Sequence, residues 1–201
     1  MPELPATYFG LTPQGLYDRG RHRVELFCRR NNIVAPNFLC IPKKDWHVGA
    51  CAFYRPCSIH ICLEYCGRPC GDAPSRNWTW PGSTTDREPY GVIAHELGHH
   101  VDWISSERKG TYGGDCSTSM RENSGEKPLT SYCDNDWEWF AEMFRLFVTN
   151  HALLERVRPR TWELFSARWT PVSGNDWVKE LGANVPARVV AAARKKIVRV
   201  P

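Results

Sequence analysis

Apolar positions along the chain recur with two periods, and the change between them separates helices from strands. After Thr12-Pro13, the positions Leu16, Tyr17, Val24, Leu26 and Phe27 predict a helix capped by Thr12, with Pro13 in its first turn. Ile33-Val34 and Phe38-Leu39-Cys40-Ile41, bounded by Pro36 and Pro42, predict short strands. Two further runs, residues 50–54 and 58–63, flank Arg55-Pro56 and predict a hairpin. In its second arm Ile59, Ile61 and Leu63 alternate with Ser58 and His60, the pattern of a half-exposed strand. Residues 67–89 are rich in Gly, Pro, Ser and Asp and predict a long loop.

Two long helical patterns follow. The first covers residues 89–105, with Pro89 suited to the first turn. The second covers residues 134–150, with Asp134, Asn135 or Asp136 available as its cap. Between them residues 106–132, rich in Gly and Ser, predict a loop or an irregular excursion. Beyond Asn150 the pattern stays helical but is interrupted by Pro159, Pro171 and Pro186. Helix, strands, two helices and a helical tail make an α+β layout with a small mixed or antiparallel sheet.

Composition narrows this picture in three ways. A chain of 201 residues fits one domain with at most a small appendage and is long enough to fold without metal or disulfide. No apolar run is long enough to span a membrane. The N-terminus lacks a basic and apolar leader, so an intracellular site with reduced thiols is expected. The unusual counts are 9 Cys and 9 Trp against 3 Met. An odd Cys number in a chain of this size argues against a purely disulfide-stapled scaffold.

The net charge of +4 is unevenly placed. Arg188, Arg194, Lys195, Lys196 and Arg199 lie together at the end, leaving 21 basic residues against 22 acidic elsewhere. The ordinary reading is a solvated basic helix face. The other is contact with nucleic acid or an acidic partner, which a short basic run attracts without sequence selectivity.

His95-Glu96-Leu97-Gly98-His99 lies inside the first long helical pattern. Residues four apart share a helix face about 6 Å apart along the axis, so two imidazoles can bind one Zn²⁺. Glu96, turned by about 100° from His95, can address a water at the metal without being a ligand. A helix that merely buried these three polar side chains, with no metal, would carry a heavy desolvation cost. Catalytic zinc takes a third protein ligand. The downstream His-x-x-Gly-x-x-His continuation is absent, because Asp102 stands where the turn-forming Gly would be. Glu138 and Glu142, one turn apart among Trp139, Phe140, Phe144, Leu146 and Phe147, are the better source. Zinc for Glu138 and a ligand-histidine N–H for Glu142 would satisfy both acids. An exposed acidic stripe is the alternative.

His95-Glu96-Leu97-Gly98-His99-His100-Val101-Asp102, followed by Glu138-Trp139-Phe140-Ala141-Glu142-Met143-Phe144, resembles the gluzincin metallopeptidases. Within them it is nearest to the anthrax-lethal-factor-like catalytic domain. The resemblance covers about residues 90–147. It implies a zincin-like catalytic core, which is placed in residues 1–150, and the helical pattern of residues 151–201 reads as an extension packed on the same domain. It further implies His95, His99 and Glu138 as ligands, Glu96 as general base and Glu142 as support for a ligand. Tyr132 matches the family's oxyanion-stabilising Tyr, although it lies one residue closer to Glu138 than the family spacing. The implied reaction is hydrolysis of peptide bonds in a protein or peptide substrate, with Glu96 carrying the water proton to the leaving amine. The implied substrate edge strand contains Ser58, Ile59, His60 and Ile61. His100 points off the metal face and reads as packing or surface. Asp102 reads equally as support for a ligand or as a surface acid.

The cysteines remain open. Cys66 and Cys70 could form half of a structural zinc site, with Cys116 and Cys133 the other half. Disulfides would need an oxidising compartment, and Cys28, Cys40 and Cys51 suit free thiols in the core. Two other functions stand beside the endopeptidase: a catalytically silent zinc-binding regulator, and a Cys-rich zinc module binding nucleic acid. The intact Glu96 weighs against the first. The catalytic type of the strongest motif weighs against the second. Stand-alone cores of this kind are associated with bacterial or phage genomes.

Overall fold

The computed structural model describes residues 12–66, 81–84, 86–109, 114–130, 133 and 135–173. Within them lie five α-helices and one three-stranded mixed sheet, an α+β arrangement. The first helix, α1 (Pro13–Arg30), starts where the sequence places it: Thr12 Oγ1 accepts the Gly15 N–H at 3.1 Å. Its apolar stripe of Leu16, Tyr17, Val24 and Phe27 is buried. Gly20 lets it lie close against the next helix, since a Cβ there would fall 2.7 Å from Ile93 Cγ2 and 2.9 Å from Tyr90 Cα.

The sheet has the order β1-β3-β2, with β1 (Asn37–Cys40) parallel and β2 (Ala52–Arg55) antiparallel to β3 (Ser58–Ile61). Ile59 and Ile61 are fully buried, while Ser58 and His60 take the opposite face, where the His60 ring stacks on Phe53 at 4.6 Å. The Arg55-Pro56 turn closes through Cys57, whose φ of 66° is the left-handed conformation of a tight turn. Ile33-Val34, expected as a strand, instead finishes α1: the Ile33 N–H donates to Cys28 O at 2.9 Å. Leu63 lies past the strand, in a short 3-10 turn.

Four more helices complete the core. The long helices are α2 (Pro89–Ser105) and α4 (Asp136–Val157), the latter capped by Asn135, whose Oδ1 accepts the Glu138 N–H at 2.9 Å. They pack face to face, with Gly98 against Ala141. Between them, inside the expected loop, sits α3 (Asp115–Ser124). The boundary expected at residue 150 coincides with a kink: Asn150 leaves helical geometry, donates to Gly82 O at 2.9 Å and recaps the chain through Leu153 N. The continuation, with α5 (Pro159–Ser166), joins the same core, where Phe165 and Trp169 pack edge-on and tilted against Phe140 and Phe144. Among the described residues, no helix is long and apolar enough to cross a membrane. The basic cluster at residues 188–199 and residues 67–80 of the expected loop lie outside the described residues.

Candidate metal centre

Two helices bring the acidic and imidazole groups together. On α2, His95 and His99 share a face, with ring centroids 4.9 Å apart. On α4, Glu138 and Glu142 face them, because α2 and α4 run antiparallel: His95 lies opposite Glu142, Gly98 opposite Ala141 and His99 opposite Glu138. A Cβ on Gly98 would come within 2.6 Å of Ala141 Cα, so only glycine permits this approach. His95, His99 and Glu138 each present one ligand atom within 4.8 Å of the others, a group that could hold a metal ion. Among the described residues it is the one such cluster of three.

The hydrogen bonds fix how the imidazoles are oriented. His95 Nδ1 donates to Glu142 Oε1 at 2.9 Å, which leaves Nε2 directed at Glu138 Oε2, 3.0 Å away. In the neutral imidazole that Nε2 carries a lone pair, so it meets a carboxylate lone pair unless a proton or a cation stands between them. Burial alone would lower the His95 pKa, but the hydrogen bonds and charges of Glu138 and Glu142 outweigh it and raise it to about 10. His99 behaves oppositely: burial and the neighbouring His95 charge push it down to about 4, so it stays neutral and able to ligate. His99 Nδ1 is buried without a hydrogen-bond partner, and the buried Glu138 Oε2 faces His95 Nε2. Two imidazoles and a carboxylate converging in this way form a donor set that could hold a metal ion.

Glu142 is fixed on every side. It accepts from His95 and from Arg145 Nη2 at 2.8 Å, and Arg87 Nη1 lies 3.6 Å from Oε1. Arg145 is fully buried and spends its other donors on Ser83 O and Thr84 O. Burial would raise the Glu142 pKa, but the two guanidiniums and His95 hold it well below the usual carboxylate range. Glu142 therefore stays ionised and locks the His95 tautomer. Glu96, adjacent in sequence and not in the cluster, is buried. Burial raises its pKa to about 8, with His95 opposing and Glu138 reinforcing that rise.

The cluster opens into a cleft of about 550 Å³ between β2 and the start of α4, floored by α2. Its lining includes Ala52, Tyr54, Glu96, Trp103 and Trp137 beside the three ligand candidates. This corrects the assignment of the edge strand. Ser58, Ile59, His60 and Ile61 form the central strand, with both edges already hydrogen-bonded to β1 and β2. The strand bordering the cleft is β2, which pairs with β3 along one edge.

Other expected residues separate as follows. His100 is buried off the metal face; it donates from Nε2 to Val34 O at 2.9 Å and takes the Tyr54 hydroxyl on Nδ1 at 3.2 Å. Asp102 is neither a surface acid nor a ligand support. It is buried and accepts the N–H groups of Gly114 and Ser117, at 2.8 Å each, so it fastens the start of α3. Tyr132 and Cys70 lie outside the described residues. Cys66, Cys116 and Cys133 do not converge: Cys66 hydrogen-bonds with Cys51, Cys116 with Arg168 and Cys133 with Thr130. The eight described cysteines are free thiols, with Cys28 buried, Cys51 half-buried and Cys40 exposed. A four-cysteine zinc site would need its sulfurs within one coordination sphere, and among the described residues Cys66, Cys116 and Cys133 do not form such a group.

Sequence reasoning missed Arg87, Arg145 and the cleft wall. Arg145 carried a signal: a lone cation within Met143-Phe144-Arg145-Leu146-Phe147, three residues after Glu142, implies a buried partner. Compared with known protein families, curated protein sequences and solved structures, the chain matches none.

Proposed function

We propose that this chain is a zinc-dependent endopeptidase with a zincin-like core. The observation that carries the reading is the convergence of His95, His99 and Glu138 beside a buried Glu96, inside a cleft bordered by a strand edge. His95, His99 and Glu138 would hold the zinc, with His95 oriented by Glu142. Bound there, zinc supplies Lewis acidity toward a carbonyl and lowers the pKa of water to about 7.

The remaining steps belong to the chain. Glu96 accepts a proton from water as that water attacks the carbonyl carbon, and then delivers it to the departing amine. A cation at His95 and His99 opposes the burial that raises Glu96, which keeps the carboxylate available as base. The β2 edge supplies backbone groups that hold an extended peptide across the cleft, the mode by which a strand is added to a sheet. A site whose metal served structure alone would have no use for a buried carboxylate next to a ligand. Incubating zinc-loaded protein with a mixed peptide library and reading new termini by mass spectrometry tests the reading. Internal cleavage that stops on chelation supports it. A zinc-loaded protein that cleaves no peptide contradicts it and leaves a metal-binding regulator.

A further inference from the structure

The cleft is chemically unequal at its two ends. The antiparallel register of α2 and α4 carries Trp103, one turn past His99, toward the first turn of α4, where Trp137 directly precedes Glu138. Both rings line the cleft. Trp137 is 36% exposed, one of the few large apolar side chains so presented among the described residues. β2 runs in the same direction as α2: Cys51 feels the charge of His95, and Tyr54 touches His100. Arg55 and Pro56 therefore close the same end as the two tryptophans.

Resting on the endopeptidase reading, we propose that Trp103 and Trp137 form an apolar jaw that selects a large apolar side chain near the scissile bond and rejects a basic one. The distance fits. One helical turn is about 5.4 Å, and an extended peptide advances about 3.3 Å per residue, so the jaw lies within about two residues of the metal. The charges fit as well. Lys109 Nζ stands 5.5 Å from the Trp103 ring centroid, and the exposed Arg55 borders the mouth. A cationic side chain entering here meets Arg55 and finds a face of the Trp103 ring already taken by the Lys109 ammonium, while the two lining carboxylates, Glu96 and Glu138, lie at the metal site. A large apolar side chain gains contact with two indole faces and leaves no charge unpaired.

The test separates this inference from the activity on which it rests. Peptide hydroxamates carrying a benzyl, isobutyl, methyl or aminobutyl side chain bind through the metal and are not hydrolysed. Calorimetry on zinc-loaded full-length protein gives their affinities. Benzyl and isobutyl should bind at least about tenfold more tightly than methyl, with aminobutyl weaker than isobutyl. Trp137→Ala and Trp103→Ala should each shrink that gap, Trp137→Phe should keep most of it, and Arg55→Glu should improve the aminobutyl probe. Equal affinities across the series, or preference for aminobutyl, overturn the jaw even if peptides are cleaved. The predicted ranking without cleavage of any peptide leaves the jaw standing and removes the endopeptidase. A protein that takes up no zinc overturns both.

Discussion

His95 and Glu142 are joined by a 2.9 Å hydrogen bond from Nδ1 to Oε1, and the same carboxylate is gripped by Arg145, which has no solvent exposure. The link ties an imidazole of the metal cluster to a buried ion pair on α4. Removing the carboxylate therefore acts on metal affinity and on folding together. Glu142→Ala should weaken zinc binding about 10- to 100-fold. It should also destabilise the fold by about 3–5 kcal/mol, because Arg145 is left buried and uncompensated. Glu142→Gln, which keeps an acceptor for His95, should retain more zinc affinity than Ala. Chelator competition and denaturant melts read the two effects.

Gly98 tests how closely α2 and α4 must approach. A methyl group there meets the Ala141 backbone, which cannot rotate away as a side chain could. Gly98→Ala should cost about 1–3 kcal/mol by overpacking, despite the better helix propensity of Ala. It should also loosen zinc binding, since the displaced helices carry His99 and Glu138. A variant as stable as the parent, with unchanged zinc affinity, contradicts the close approach.

Asp102 tests whether the α3 anchor is independent of the metal. Asp102→Ala leaves the Gly114 and Ser117 N–H groups without their acceptor and should cost about 1–3 kcal/mol. Zinc stoichiometry should stay unchanged. Loss of zinc in a folded Asp102→Ala protein would return this acid to the metal site.

Asp86 gives the pH dependence. It is fully buried and accepts from the Gly82 and Glu88 N–H groups at 2.7 and 3.1 Å. Burial raises its pKa to about 7, against the opposing charge of Arg145 and those two hydrogen bonds. The folded state thus binds this proton more tightly than the unfolded chain, whose carboxyl titrates near 3.8. Stability from this group is complete below that value and is lost as pH rises toward 7. The melting temperature of Asp86→Asn, relative to the parent, should therefore climb between pH 4 and 7. A difference that is flat or falls with pH contradicts the assignment.

The local periodicities made much of this legible beforehand. Thr12-Pro13 marks the start of α1, and Pro89 that of α2. The four-residue spacing of His95 with His99, and of Glu138 with Glu142, puts each pair on one helix face whatever the tertiary arrangement. What stayed hidden depends on partners distant in sequence. The start of α3 is anchored by Asp102 from another helix, and its Ser-rich sequence gives little helical signal by itself. The position of β3 in the middle of the sheet is set by β1 pairing across an intervening segment, which no alternation within Ile59 and Ile61 reveals. Cys66 and Cys133 look like companions on a list of cysteines, yet the chain path gives each a different neighbour.

The most direct measurement compares Glu96→Gln with the parent protein at equal zinc occupancy on a peptide that the parent cleaves. Glutamine fills the same space but cannot accept the water proton. The predicted result is one zinc retained per chain, with kcat/KM lowered by about a hundred- to ten-thousand-fold. Cleavage that persists near the parent rate in zinc-loaded Glu96→Gln would contradict the assignment of Glu96 as the base.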